Sequence, residues 1–86
     1  GGGRADAVMF SPSTIFVFEI KINKSAQEAL AQIDDKGYMV PFEADGRKLV
    51  KIGINFSTTT RTIEDWEYRI QANDSTTPIP PVGLKS

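Results

Sequence analysis

With 86 residues and a net charge of −1, the chain has room for one small domain and lacks the strongly basic balance of a nucleic-acid-coating protein. It contains neither cysteine nor histidine, which excludes disulfides, thiolate and imidazole metal sites, thiol nucleophiles and every Ser-His or Cys-His arrangement. Any catalysis is left to carboxylates, Lys, Arg, Tyr or Ser/Thr working with a metal ion.

Gly1-Gly2-Gly3 reads as a flexible lead-in. A first strand is expected over residues 4–10, then a turn at Ser11-Pro12-Ser13. Thr14–Ile22 carries the strongest strand signal, because Ile15-Phe16-Val17-Phe18 is β-branched and aromatic without a polar interruption, as in a strand buried on both faces. Residues 26–36 are expected to be helical. Ser25 and Glu28 form a capping box, Ala26, Ala29, Leu30 and Ile33 make one apolar stripe, and Gly37 supplies a left-handed stop. A loop through Pro41 and Asp45-Gly46 leads to a strand at 48–56, where Val50, Ile52, Ile54 and Phe56 alternate with Lys51, Gly53 and Asn55. Ser57-Thr58-Thr59-Thr60 turns the chain into a last strand at 62–70, with Trp66, Tyr68 and Ile70 on one side and Trp66 expected in the core. Residues 71–86 are polar and proline-rich, the composition of a disordered or extended tail.

The order β-β-α-β-β implies an α+β fold: a four-stranded mixed sheet with one helix on one face, occupying residues 4–70. Phe16, Phe18, Ile20 and Ile22 share one face of the second strand, and that face is expected to take the helix together with Val50, Ile52, Ile54 and Phe56. No apolar run is long enough to span a bilayer and no signal-peptide pattern opens the chain, so a cytoplasmic location is expected.

The opposite face of the second strand carries Ile15, Val17, Glu19 and Lys21. A carboxylate and an ammonium near the end of a buried strand are costly unless paired, solvated or bound to a metal. Pairing about the Ser11–Ser13 turn sets Asp6 across from Phe18 or Glu19. On the second register the two carboxylates are direct neighbours, with Cβ atoms roughly 4.5–5.5 Å apart. They would repel, and a hard dication between them would reverse the sign. Mg²⁺ or Mn²⁺ suits such an all-oxygen site. The bland alternative is a structural Glu19–Lys21 pair with Asp6 solvated beside the turn. Lys36, Arg47, Lys48 and Lys51 could form a phosphate-facing patch, but scattered surface lysines are ordinarily just solvated.

Gly3-Arg4-Ala5-Asp6 followed by Phe18-Glu19-Ile20-Lys21 resembles the PD-(D/E)xK nuclease superfamily. More narrowly, it is similar to bacterial domains usually found C-terminal to an AAA-ATPase-like region, written G-R-x-D, F-E-x-K and a helix ending Q-I-x-x-K-x-Y. Here that last piece reads Gln32-Ile33-Asp34-Asp35-Lys36-Gly37-Tyr38, and Ile52–Phe56 and Arg61–Trp66 also fit. The resemblance implies that Asp6, Glu19 and the Ile20 carbonyl hold Mg²⁺ or Mn²⁺. It implies that Lys21 orients the attacking water or stabilises charge on the phosphate, and that Gln32 and Tyr38 line the substrate site. The implied activity is metal-dependent hydrolysis of phosphodiester bonds, DNA before RNA. The alternative is a non-catalytic interaction module, β-grasp-like or an inactive nuclease fold. The family's restriction-endonuclease-like core begins with a helix that this stretch lacks. Val8, Phe10, Ile15 and Val17 are then expected to be partly bare, covered by a second copy in a homodimer or by more of a longer chain.

Overall fold

The computed structural model describes residues 4–71; the lead-in at 1–3 and the proline-rich segment at 72–86 lie outside the described residues. Four strands, β1 (Ala7–Phe10), β2 (Thr14–Ile22), β3 (Lys48–Ser57) and β4 (Thr62–Gln71), form one sheet in the order β1-β2-β3-β4. β1–β2 and β3–β4 are antiparallel hairpins, while β2 and β3 run parallel. A parallel pair requires a crossover, and helix α1 (Ala26–Asp35) provides it. The expected α+β architecture is therefore present, with one helix on one face.

Helix α1 starts and stops for local reasons. The Ser25 hydroxyl accepts from the Glu28 amide (3.0 Å) and donates to the Glu28 carboxylate (3.1 Å). A second cap comes from β4: Asp65 accepts from the Ala26 amide (3.0 Å) and from the Asn55 side chain (3.0 Å). At the other end Gly37 has φ +65°, with Gly37 N–H donating to the Asp34 carbonyl and Tyr38 N–H to the Ile33 carbonyl. That pair of bonds is a Schellman motif. It turns Tyr38 back into the core beside Ile33, where both are buried.

The helix lies on the face opposite to the expected one. Ile15 and Val17 are fully buried with Leu30, Ile33, Tyr38, Met39 and Leu49, whereas Ile20 and Ile22 are exposed and Phe16 and Phe18 only half-buried. Both faces of β2 are apolar, so its pattern alone does not choose between them. Gly53 does. A Cβ there would collide with the Ala26 carbonyl oxygen and stand 3.0–3.1 Å from Leu30 and Ala29. Glycine lets the helix close onto the Leu49, Gly53 and Asn55 face of β3, which is also the Glu19 face of β2.

Two further expectations change with it. Ile15 and Val17 are not bare, although Val8 and Phe10 are 36% and 56% exposed. The uncovered apolar face is the other one, where Trp66, Tyr68 and Ile70 pair with Ile54, Ile52 and Val50. Trp66 is 61% exposed and stacks on Tyr68 instead of entering the core. Among the described residues no helix is long and apolar enough to cross a membrane.

Candidate functional site

The β1–β2 ladder runs from Phe10 opposite Ile15 to Ala7 opposite Phe18, and Asp6 lies just beyond its end with its carboxylate near that of Glu19. The ladder itself follows the second of the two registers open to the turn, and Asp6 falls outside it. The ladder ends at Ala7, not at residue 4, because the Asp6 side chain intervenes. Its backbone N–H donates to the Phe18 carbonyl (3.1 Å), but its carboxylate takes the Ile20 N–H (2.8 Å) that a longer β1 would have met. In an antiparallel ladder the N–H and C=O of one residue point to the same edge. The Ile20 carbonyl therefore faces the Asp6 side, beyond the end of β1.

Glu19 is 5% exposed. One carboxylate oxygen accepts from the Gln32 amide (2.6 Å), while the other is buried with no hydrogen-bond partner. Burial first, and the nearby Asp6 carboxylate second, raise its pKa above the ordinary value, with the Lys21 ammonium and, less strongly, the Asp6 backbone N–H pulling the other way. Gln32 is held on three sides. Its amide nitrogen donates to Glu19 and to the Tyr38 hydroxyl (3.3 Å), and its amide oxygen accepts from the Lys21 ammonium. Asp6, Glu19, Lys21, Gln32 and Tyr38 thus meet in one cluster, with Ile20 joined through its backbone.

The donor set fits a hard divalent cation. A buried carboxylate oxygen with no donor, beside a second carboxylate, is an acceptor-only position where positive charge is missing. Among the described residues no group of three or more His, Cys, Asp or Glu side chains comes together. A cation here would rely on two carboxylates, a backbone carbonyl and water, a ligand count that Mg²⁺ or Mn²⁺ tolerates.

Two concavities border the cluster. A cleft of about 300 Å³ runs along α1 between Lys21, Lys24, Glu28, Gln32, Asp35 and Lys36. A pocket of about 180 Å³ lies on the Asp6 side, lined by Arg4, Ala5, Val8, Tyr38, Pro41 and Phe42. Of the other basic residues weighed from sequence, Arg47 pairs with Asp45 and Lys51 with Asp34, each at 2.7 Å. Reading the sequence alone misses Lys24, and it misses that Gln32 bridges Lys21 and Glu19. The available signal was Gly53, which puts the helix over Glu19.

A family model described as the PD-(D/E)XK nuclease superfamily matches residues 1–66. A curated protein described as an uncharacterized protein in the vnfD 5' region of Azotobacter chroococcum mcd 1 is 32% identical over 63 residues. The match covers 71% of this chain but 12% of that protein, so the chain corresponds to a small part of a much longer relative. No solved structure matches the chain.

Proposed function

This chain belongs to the PD-(D/E)XK nuclease superfamily, and from that membership we propose that it hydrolyses phosphodiester bonds with Mg²⁺ or Mn²⁺, DNA being the substrate. The observation that carries the metal is the buried Glu19 oxygen with no donor, next to the Asp6 carboxylate. A structural Glu–Lys pair accounts for it less well, because the Lys21 ammonium bonds to Gln32, not to Glu19.

Asp6, Glu19 and the Ile20 carbonyl would hold the ion. When bound, it would lower the pKa of water and offset charge growing on the phosphate oxygens. Lys21 contributes the cationic donor of the site, fixed by the Gln32 amide oxygen, and stabilises the anionic phosphoryl oxygens as a point charge. Gln32 is a positioning residue: one amide orients both the Lys21 donor and the Glu19 acceptor, and Tyr38 limits its rotation. This division of labour suits a chain without histidine. Operation within a longer cytoplasmic protein, alongside an AAA-ATPase-like region or as a homodimer, belongs to the same proposal.

The test is cleavage of plasmid and linear DNA by the purified chain with Mg²⁺ or Mn²⁺, alongside Asp6→Ala and Glu19→Ala. Cleavage that needs the metal and vanishes in both variants supports the reading. A folded, metal-free chain that cuts equally well, or variants that keep full activity, would refute it.

A further inference from the structure

The pocket on the Asp6 side is not used by the hydrolytic cluster, yet it touches that cluster twice. Arg4 and Ala5 immediately precede Asp6, and Tyr38 presents its hydroxyl to Gln32. The lining is aliphatic and aromatic with one cationic side chain at the rim. Beyond Phe42 the apolar surface continues: Phe10 meets Phe42 edge-on at 5.8 Å, and the Arg47 guanidinium lies 5.5 Å over the Phe10 ring. Phe10 is 56% exposed. Aromatic faces interleaved with arginine are a stacking platform for bases that have left a duplex.

Charge points the same way. Binding to duplex DNA without sequence preference is supplied largely by phosphate neutralisation, and a chain of net charge −1 has little of it to offer. Lys21, Lys24 and Lys36 line the cleft on the opposite flank, where Glu28 and Asp35 also sit. That cleft can follow a short stretch of backbone, but it is no basic track for a duplex. Contacts to bases must make up the difference, and a pocket of about 180 Å³ admits one base but not a base pair.

We propose that this Arg4–Val8–Tyr38–Phe42 pocket seats one unpaired nucleobase beside the hydrolysed phosphate, making single-stranded DNA or a frayed end the preferred substrate. The proposal rests on the nuclease reading and narrows its substrate class. Arg4 contributes a cation or donor at the base edge, Phe42 the apolar wall, and Phe10 the ledge for the next base.

The test uses the 86-residue chain and a fluorescein-labelled thymidine oligonucleotide, free and annealed to its complement. Anisotropy in EDTA reads binding, and mapped cleavage in Mn²⁺ reads positioning. The single strand is expected to bind about 10-fold more tightly than the duplex, the scale of one stacked base. Val8→Phe, at a position 36% exposed, fills the pocket and is expected to remove most of that preference. One abasic nucleotide in the strand is expected to suppress cutting at the neighbouring phosphate in the native chain and to make little difference in Val8→Phe. Mn²⁺ affinity by calorimetry is expected to be the same in both proteins. Equal binding of strand and duplex, or a strand preference that survives Val8→Phe in a folded protein, overturns the proposal. Loss of the abasic effect in the native chain overturns it as well, without reference to any variant. Absence of Mn²⁺ binding would instead remove the nuclease reading beneath it.

Discussion

Glu19→Gln is expected to stabilise the metal-free protein while removing its response to metal. Glu19 is 5% exposed, and one of its oxygens is buried without a donor. An uncompensated buried polar atom costs about 1–3 kcal/mol. Glutamine keeps the acceptor that Gln32 uses, places an N–H₂ group where the orphan oxygen stands, and removes the charge that Asp6 opposes. A gain of about 1 kcal/mol is expected after the amide meets imperfect geometry, which raises Tm by roughly 4–8 °C in a domain of this size. The assay is thermal unfolding by circular dichroism in EDTA near neutral pH, repeated in saturating Mg²⁺ or Mn²⁺. With metal at about 100 times its Kd the native protein gains roughly 2.7 kcal/mol and the variant almost nothing, so their order reverses. A variant less stable than the native chain in EDTA, or one that keeps the metal response, would refute the reasoning. The pH profile carries a sign of its own. The folded pKa of Glu19 lies above its ordinary 4.5, so the folded state binds more protons between those two values. Metal-free stability therefore falls as pH rises through that window and levels off above it. Glu19→Gln flattens this slope in a pH series of Tm.

Lys21→Met should reduce cleavage by at least 100-fold while leaving Mn²⁺ affinity unchanged or tighter, read by calorimetry beside kcat, because the variant removes a positive charge from the metal site. Gly53→Ala should destabilise by about 1–3 kcal/mol through overpacking against the Ala26 carbonyl, seen as a lower urea midpoint; a neutral result would mean that the helix does not close onto Gly53. Asp65→Ala should cost about 1–2 kcal/mol, since the Ala26 amide and the Asn55 side chain both lose their acceptor. Faster hydrogen exchange confined to the first turn of α1 would identify that loss.

The elements of this fold are written locally and their sidedness is not. Thr14–Ile22 is legible from its β-branched and aromatic run, and α1 from Ser25, Glu28 and Gly37, because each signal acts within a few residues. Which face of β2 takes the helix depends on a contact between residues far apart in the chain. Two apolar faces give period-2 reasoning nothing to choose with, and Gly53 decides the matter through a steric gap that no hydrophobicity pattern registers. Trp66 is misjudged for the same reason: its strand alternates as expected, but its apolar side is the uncovered one. The turn brings Asp6 to the neighbourhood of Phe18 and Glu19, between which the sequence does not choose. The shortened β1 is not legible either, because there a side chain replaces a backbone partner. The same sidedness matters for the site. With the helix over the Glu19 face, Gln32 becomes the bridge between Glu19 and Lys21, a role that spacing could not reveal.

The most direct measurement is a calorimetric titration of Mn²⁺ into the purified chain, with Asp6→Ala and Glu19→Ala in parallel and folding verified by circular dichroism. One site per chain, lost in both variants while they remain folded, is the predicted result. A folded native chain that takes up no Mn²⁺ or Mg²⁺, or variants that bind it as the native chain does, would contradict the assignment of Asp6 and Glu19 to a metal site.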